Sequence, residues 1–123
     1  MIRVFTSKTQ QLGQIGEEKA VLFLMKQGFT VIERNIHNKH GEIDIFAEKE
    51  GVAYFFEVKS GKQGSWFNPA DNLTKEKLWK FSRTAEYYSI GIGLKDYTLQ
   101  GIVVLLSQNE NREAQVDIID LYL

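Results

Sequence analysis

The stretches GEIDIF (41–46) and FFEVKS (55–60) carry charged side chains where short strands ordinarily feed a core. Side chains alternate along a strand, so Glu42 and Asp44 are expected on one face and Ile43 and Ile45 on the other. By the same rule Glu57 and Lys59 share a face, opposite Tyr54, Phe56 and Val58. If the two strands pair through the EKEG turn (48–51), three carboxylates and an ammonium meet at the end of a sheet. Glu-x-Lys alone is equally a solvated sheet edge with cross-strand ion pairs of small energetic weight. The short acid Asp44, close to a glycine and to a lysine on the neighbouring strand, shifts the reading towards chemistry. Magnesium takes hard oxygen ligands, commonly one or two carboxylates with waters and phosphate oxygens. Such an ion polarises a phosphodiester and acidifies a bound water, and a lysine beside it orients that water or steadies phosphate charge. The set suits metal-assisted phosphodiester hydrolysis.

The surrounding pattern supplies the elements that would position this set. Residues 12–27 (LGQIGEEKAVLFLMKQ) read as a helix with a broad apolar face of Leu12, Ile15, Val21, Leu22, Leu24 and Met25, stopped by Gly28. Strands follow at 29–36, 41–48 and 52–60, and their short connections predict an antiparallel meander. A glycine-containing loop (61–71) holds the only proline, Pro69. Thr74 is a plausible N-cap for a helix reaching Tyr88, with Leu78, Phe81, Ala85 and Tyr88 as its buried stripe. After GIGLKD, two more strands are expected at 97–107 and 115–123. The second helix is long enough for a crossover, so part of the sheet should be parallel. The expectation is one α/β domain over residues 1–123, a mixed central sheet flanked by helices in the order αβββαββ.

Composition narrows the classes. The chain has no cysteine, which excludes disulfide frameworks and thiolate metal sites. No apolar run is long enough for a signal peptide or a bilayer span, so a soluble, cytoplasmic protein is expected. A net charge of −1 and a pI near 6.1 mean that any nucleic-acid contact must be local. The second helix offers Lys75, Lys77, Lys80 and Arg83 against Glu76 and Glu86. That is either a solvated face or a stripe tracking a phosphate backbone. Trp66 and Phe67 in the glycine loop either stack on an unpaired base or pack against the second helix. His37 and His40 read as exposed turn residues rather than metal ligands. Neither a glycine-rich phosphate loop with a following lysine nor a Ser/His/Asp arrangement is recognisable.

GEID on one strand and EVK on the next resemble the Asp…(Asp/Glu)-x-Lys motif of the restriction-endonuclease-like PD-(D/E)XK nuclease superfamily. Within it, the chain looks like a member of the YraN family of small bacterial proteins. GQIGEEKA (13–20), GF, ERN, GEID, FFEVKS, NPAD and TKEKLWKFSRTAEYY (74–88) carry that resemblance, firmly from Gly13 to Tyr88. It implies a restriction-endonuclease-like fold with Asp44 as the central metal-ligating acid, Glu57 as second ligand and the Val58 carbonyl as a third oxygen. Lys59 would be the catalytic lysine. Glu17 matches an acid that the similar archaeal Holliday-junction resolvases place near their metal, and Glu18 reads as an exposed helix residue. Glu42 matches a family position, as an ion-pair partner or an outer ligand of the metal. Lys77 also fits the family pattern. Two positions depart from it: Ser60 and Gly61 follow EVK where a basic residue is usual, with Lys62 next, and AQVDII lacks an expected arginine.

The expectation is a Mg²⁺- or Mn²⁺-dependent endonuclease acting on DNA, branched or recombination intermediates included. Asp44, Glu57 and Glu17 would hold the metal, Lys59 would position the attacking water, and Lys62, Lys75, Lys77, Lys80 and Arg83 would grip the backbone. One such site cuts one strand, so cutting both would call for a homodimer. The alternative is a nucleic-acid-binding accessory module that keeps the fold without turnover.

Overall fold

The structure is a computed structural model that describes residues 8–64, 73–107 and 113–121. Its elements in chain order are α1 (Lys8–Lys26), β1 (Thr30–Asn38), β2 (Gly41–Lys49), β3 (Val52–Lys62), α2 (Lys75–Ile92), β4 (Thr98–Leu106) and β5 (Ala114–Asp120). Trp66, Phe67 and Pro69 lie outside the described residues.

All five strands form one sheet in the order β1-β2-β3-β4-β5. Among the described residues only β3 and β4 pair in parallel; the other neighbours are antiparallel. The β2–β3 turn places Glu50 and Gly51 at φ 52° and 80°, the left-handed pair that a tight two-residue hairpin demands. Between β3 and β4 the chain runs through α2, which returns it to the starting edge and makes the next strand parallel.

Alternation sorts the apolar residues into two layers. Ile45, Ala47, Phe56, Ile102, Val104 and Leu106 pack with Ala20 and Leu24 of α1. Phe46, Ala53 and Phe55 pack with Phe81 and Ala85 of α2. Neighbours such as Phe55 and Phe56 go to different clusters, so the helices cover opposite faces of the sheet. The mixed sheet between two helices, in the order αβββαββ, is the α/β arrangement expected.

Both helices are longer than the sequence pattern suggests. α1 starts at Lys8, and its buried stripe runs through Gly16, Ala20 and Leu24. Leu22 and Met25, expected in the apolar face, are 53% and 58% exposed. They lie roughly 200° and 140° around the helix from Ala20, so they cannot share its face. α2 begins as expected, with Thr74 Oγ1 accepting from the Lys77 N–H at 3.3 Å. It absorbs Gly91 and ends at Gly93, whose left-handed φ of 72° lets its N–H reach the carbonyls of Ser89 and Ile90. Phe81, Thr84, Ala85 and Ser89 are its buried residues, while Leu78 and Tyr88 are half-buried. No helix among the described residues is long and apolar enough to cross a membrane.

Candidate catalytic site

β2 and β3 pair from Lys49–Val52 as far as Ile45–Phe56, and beyond that pair the two strands fork. Asp44 is the next residue of β2, and its Oδ2 accepts the Val58 N–H at 2.7 Å. A carboxylate thus takes the place of a ladder carbonyl on the neighbouring strand. The strand also changes face here. Ile43 packs under α2 and Ile45 under α1, although residues two apart in a regular strand share a face. Across from Asp44, between the pairs Arg34–Ile45 and Ile36–Ile43, Asn35 adopts φ 54°. This left-handed step interrupts the regular pleat of β1 and accompanies the switch in β2.

The switch corrects the expectation that Ile43 and Ile45 share a face. Glu42 is well exposed and pairs with His37 at 3.2 Å, the ion-pair role expected of it. His37 lies on β1, and His40 meets the ring of Tyr87. Glu57 and Lys59 do share a face, with Lys59 Nζ 3.2 Å from Glu57 Oε1.

α1 closes the other side through a close approach. A β-carbon on Gly16 would lie 2.4 Å from Ser60 Cβ, so only glycine lets the helix lie this near β3. The next residue, Glu17, then lines a cavity of about 180 Å³ with Gln10, Gly13, Gln14, Asp44, Val58 and Ser60. Ser60, a departure from the family pattern, therefore faces α1 at its tightest contact.

Arg34 of β1 is the site residue that sequence reasoning missed. Its Nη2 and Nε donate to Glu17 Oε1 at 3.2 and 3.3 Å, and Nη2 also reaches Glu18 Oε1 at 2.9 Å. Glu18 is exposed as expected, yet held by Arg34 and by Gln14 at 3.1 Å. The signal for it was ERN, one of the stretches that carry the family resemblance, to which no role was attached.

The site strains its acids. Burial pushes the Asp44 carboxyl up to about 7, with the charge of Glu57 adding to it. The Val58 N–H pulls the other way, and Glu17 and Lys59 contribute smaller opposing effects. Burial also raises Glu57, against the charge and hydrogen bond of Lys59; Glu42 adds to the rise and Lys77 relieves it. Lys77 is therefore the helix cation electrostatically linked to the site. Lys80 and Arg83 are paired along α2 with Glu76 and Glu86 at 3.3 and 3.5 Å. Lys75 and Lys62 are exposed, the latter at the end of β3.

Among the described residues, no group of three or more His, Cys, Asp or Glu side chains stands ready to hold an ion. Asp44 and Glu57 would offer a cation two carboxylates that raise the cost of charge in the fork, with Glu17 lining the cavity beside Asp44 and Val58. They fit a hard dication that takes one or two carboxylates and fills its remaining positions with water or substrate oxygens.

Fold and site together define a small three-layer α/β domain with an Asp and a Glu-x-Lys set where two central strands part. The family described as Uncharacterised protein family UPF0102 matches residues 16–121, and the chain belongs to it. A UPF0102 protein of Nitratiruptor sp. is 38% identical over 98 residues, covering 79% of this chain and 85% of that protein. One from Sulfurovum sp. is 51% identical over 77 residues, 62% of this chain and 66% of that one. One from Helicobacter pylori is 38% identical over 104 residues, 84% and 89% respectively. Among solved structures, a repair endonuclease from Pyrococcus abyssi aligns with a TM-score of 0.42 at 20% identity, over 89% of this chain and 42% of that one.

Proposed function

We propose that the protein is a metal-dependent nuclease that hydrolyses phosphodiester bonds of DNA, branched forms included. The observation that carries this reading is Asp44. It is a half-buried carboxylate fixed by the Val58 N–H at 2.7 Å, with its pKa pushed to about 7 beside Glu57. An acid so placed is costly to a fold unless a cation compensates it.

Asp44, Glu57 and the Val58 carbonyl would hold Mg²⁺ or Mn²⁺, with Glu17 lining the same cavity as Asp44 and Val58. When bound, the ion supplies charge neutralisation on the phosphate and a water acidic enough to attack near neutral pH. Lys59 stands on Glu57 at 3.2 Å, within reach of the same oxygens, and would orient the water and steady charge on the phosphate. Lys77 brings a second positive charge from α2 to the Glu57 side. Arg34 holds one oxygen of Glu17 and so fixes where that carboxylate stands.

A second reading, a nucleic-acid-binding accessory module without turnover, has two observations in its favour. Glu17 is engaged by Arg34, and no three acids converge among the described residues.

The test is cleavage of linear, flapped and four-way DNA with Mg²⁺ or Mn²⁺, comparing wild type with Asp44→Asn and Lys59→Ala. Metal-dependent cutting that both substitutions abolish is the expected result. Tight binding with no cutting in either metal would favour the accessory module.

A further inference from the structure

We propose that the outer face of α2, with the turn between β1 and β2, is a docking surface for unpaired nucleotides. The inference rests on the nuclease reading for its substrate class, and it names a binding face that the catalytic residues do not form.

Trp79, Arg83 and Tyr87 recur every four residues and so line one stripe of α2, away from the buried Phe81 and Ala85. Trp79 is 62% exposed and Tyr87 49% exposed. Each ring has a cation against it. The Arg83 guanidinium lies 5.8 Å from the centre of the Trp79 ring. The Lys39 ammonium, from the β1–β2 turn, lies 5.0 Å from the centre of Tyr87. Eight residues of helix separate the rings by about 12 Å.

Two exposed rings, each with a cation over one face and Tyr87 also edged by His40, match a chain of alternating bases and phosphates. Bases stack on the rings while Arg83 and Lys39 meet the backbone. A duplex keeps its base faces stacked inside, so it can use only the cations. The stripe is cationic on balance: Lys39, Lys75, Lys80 and Arg83 outnumber Glu76 and Glu86. That balance argues against a second copy as the occupant. A two-fold contact across this stripe would bring net-positive surfaces together, whereas an anionic strand complements them. The N-terminal end of the same helix carries Lys77, whose charge acts on Glu57. A strand on this face would thus lead towards the proposed site.

The experiment is metal-free binding in EDTA, read by anisotropy of a labelled 20-nucleotide single strand and of the matching duplex. Wild type should prefer the single strand. Trp79→Ala and Tyr87→Ala should each weaken single-strand binding about fivefold or more and change duplex binding little. Arg83→Glu should weaken both. In a Trp66→Phe protein, Trp79 is the remaining tryptophan, and the single strand should quench its fluorescence. Single-strand affinity that neither ring substitution alters would overturn the proposal, as would a Trp79→Ala protein that loses only self-association in sedimentation. A protein that cuts DNA while its binding ignores both rings refutes this surface alone. One that binds single strands through Trp79 but never cuts refutes the nuclease reading alone.

Discussion

An acid that must be charged to hold a cation is destabilising while it waits for one. In the folded chain, Asp44 titrates near 7, against about 3.9 for a free aspartate. Because the folded-state value is the higher one, the neutral acid is the form the fold favours. The contribution of Asp44 to stability is therefore undiminished below about pH 4, falls as pH rises towards 7, and levels off above that. Asp44→Asn removes the charge and retains an oxygen that can accept the Val58 N–H. In EDTA the variant should exceed wild type by on the order of 2–4 kcal/mol at pH 8, and the gap should close at pH 4. Chemical denaturation at the two pH values checks this, and equal stability at pH 8 would contradict the strained fork. Asp44, Glu57 and Lys59 were legible because their spacing on two short strands is itself the signal. Arg34 was not, since its role depends on α1 crossing above β1, which a single-sequence pattern does not encode.

The elements were legible in kind and order, because periods of two and of about 3.6 distinguish strand from helix directly. Their faces were less so. Ile43 and Ile45 fall in different layers opposite the left-handed Asn35, and strict alternation has no means of anticipating such a residue on the neighbouring strand. The expected end of α2 falls short because Gly91 resembles a stop, whereas Gly93 holds the left-handed cap. Such placement matters most where α1 meets β3. An alanine methyl at position 16 would sit 2.4 and 2.5 Å from Ser60 Cβ and Oγ, so Gly16→Ala must lift the helix that carries Glu17. A loss of about 1–3 kcal/mol in thermal or urea unfolding is expected. Ser60→Gly in the same chain should recover most of it, whereas Ser60→Ala, which keeps the β-carbon, should not. If Ser60→Gly gives no recovery, the close approach is not what holds α1 in place.

At the scale of the whole molecule, a single fork among the described residues, acting as the proposed nuclease site, would make one cut per binding event. On a supercoiled circle the nicked form should precede the linear form. The linear product should rise more steeply with protein concentration than the nick, because a second copy must act on the other strand. Parallel concentration dependence of the two products would contradict single-site action. The net charge of −1 is consistent with this design, since cations gather along α2 while the acids gather at the fork. The central claim is that Asp44 and Glu57 together hold a divalent ion. Manganese titration followed by electron paramagnetic resonance tests it without requiring turnover. One ion per chain in wild type, with affinity lowered at least tenfold in Asp44→Asn and in Glu57→Gln, is the expected result. Manganese binding that both variants leave unchanged would contradict the account.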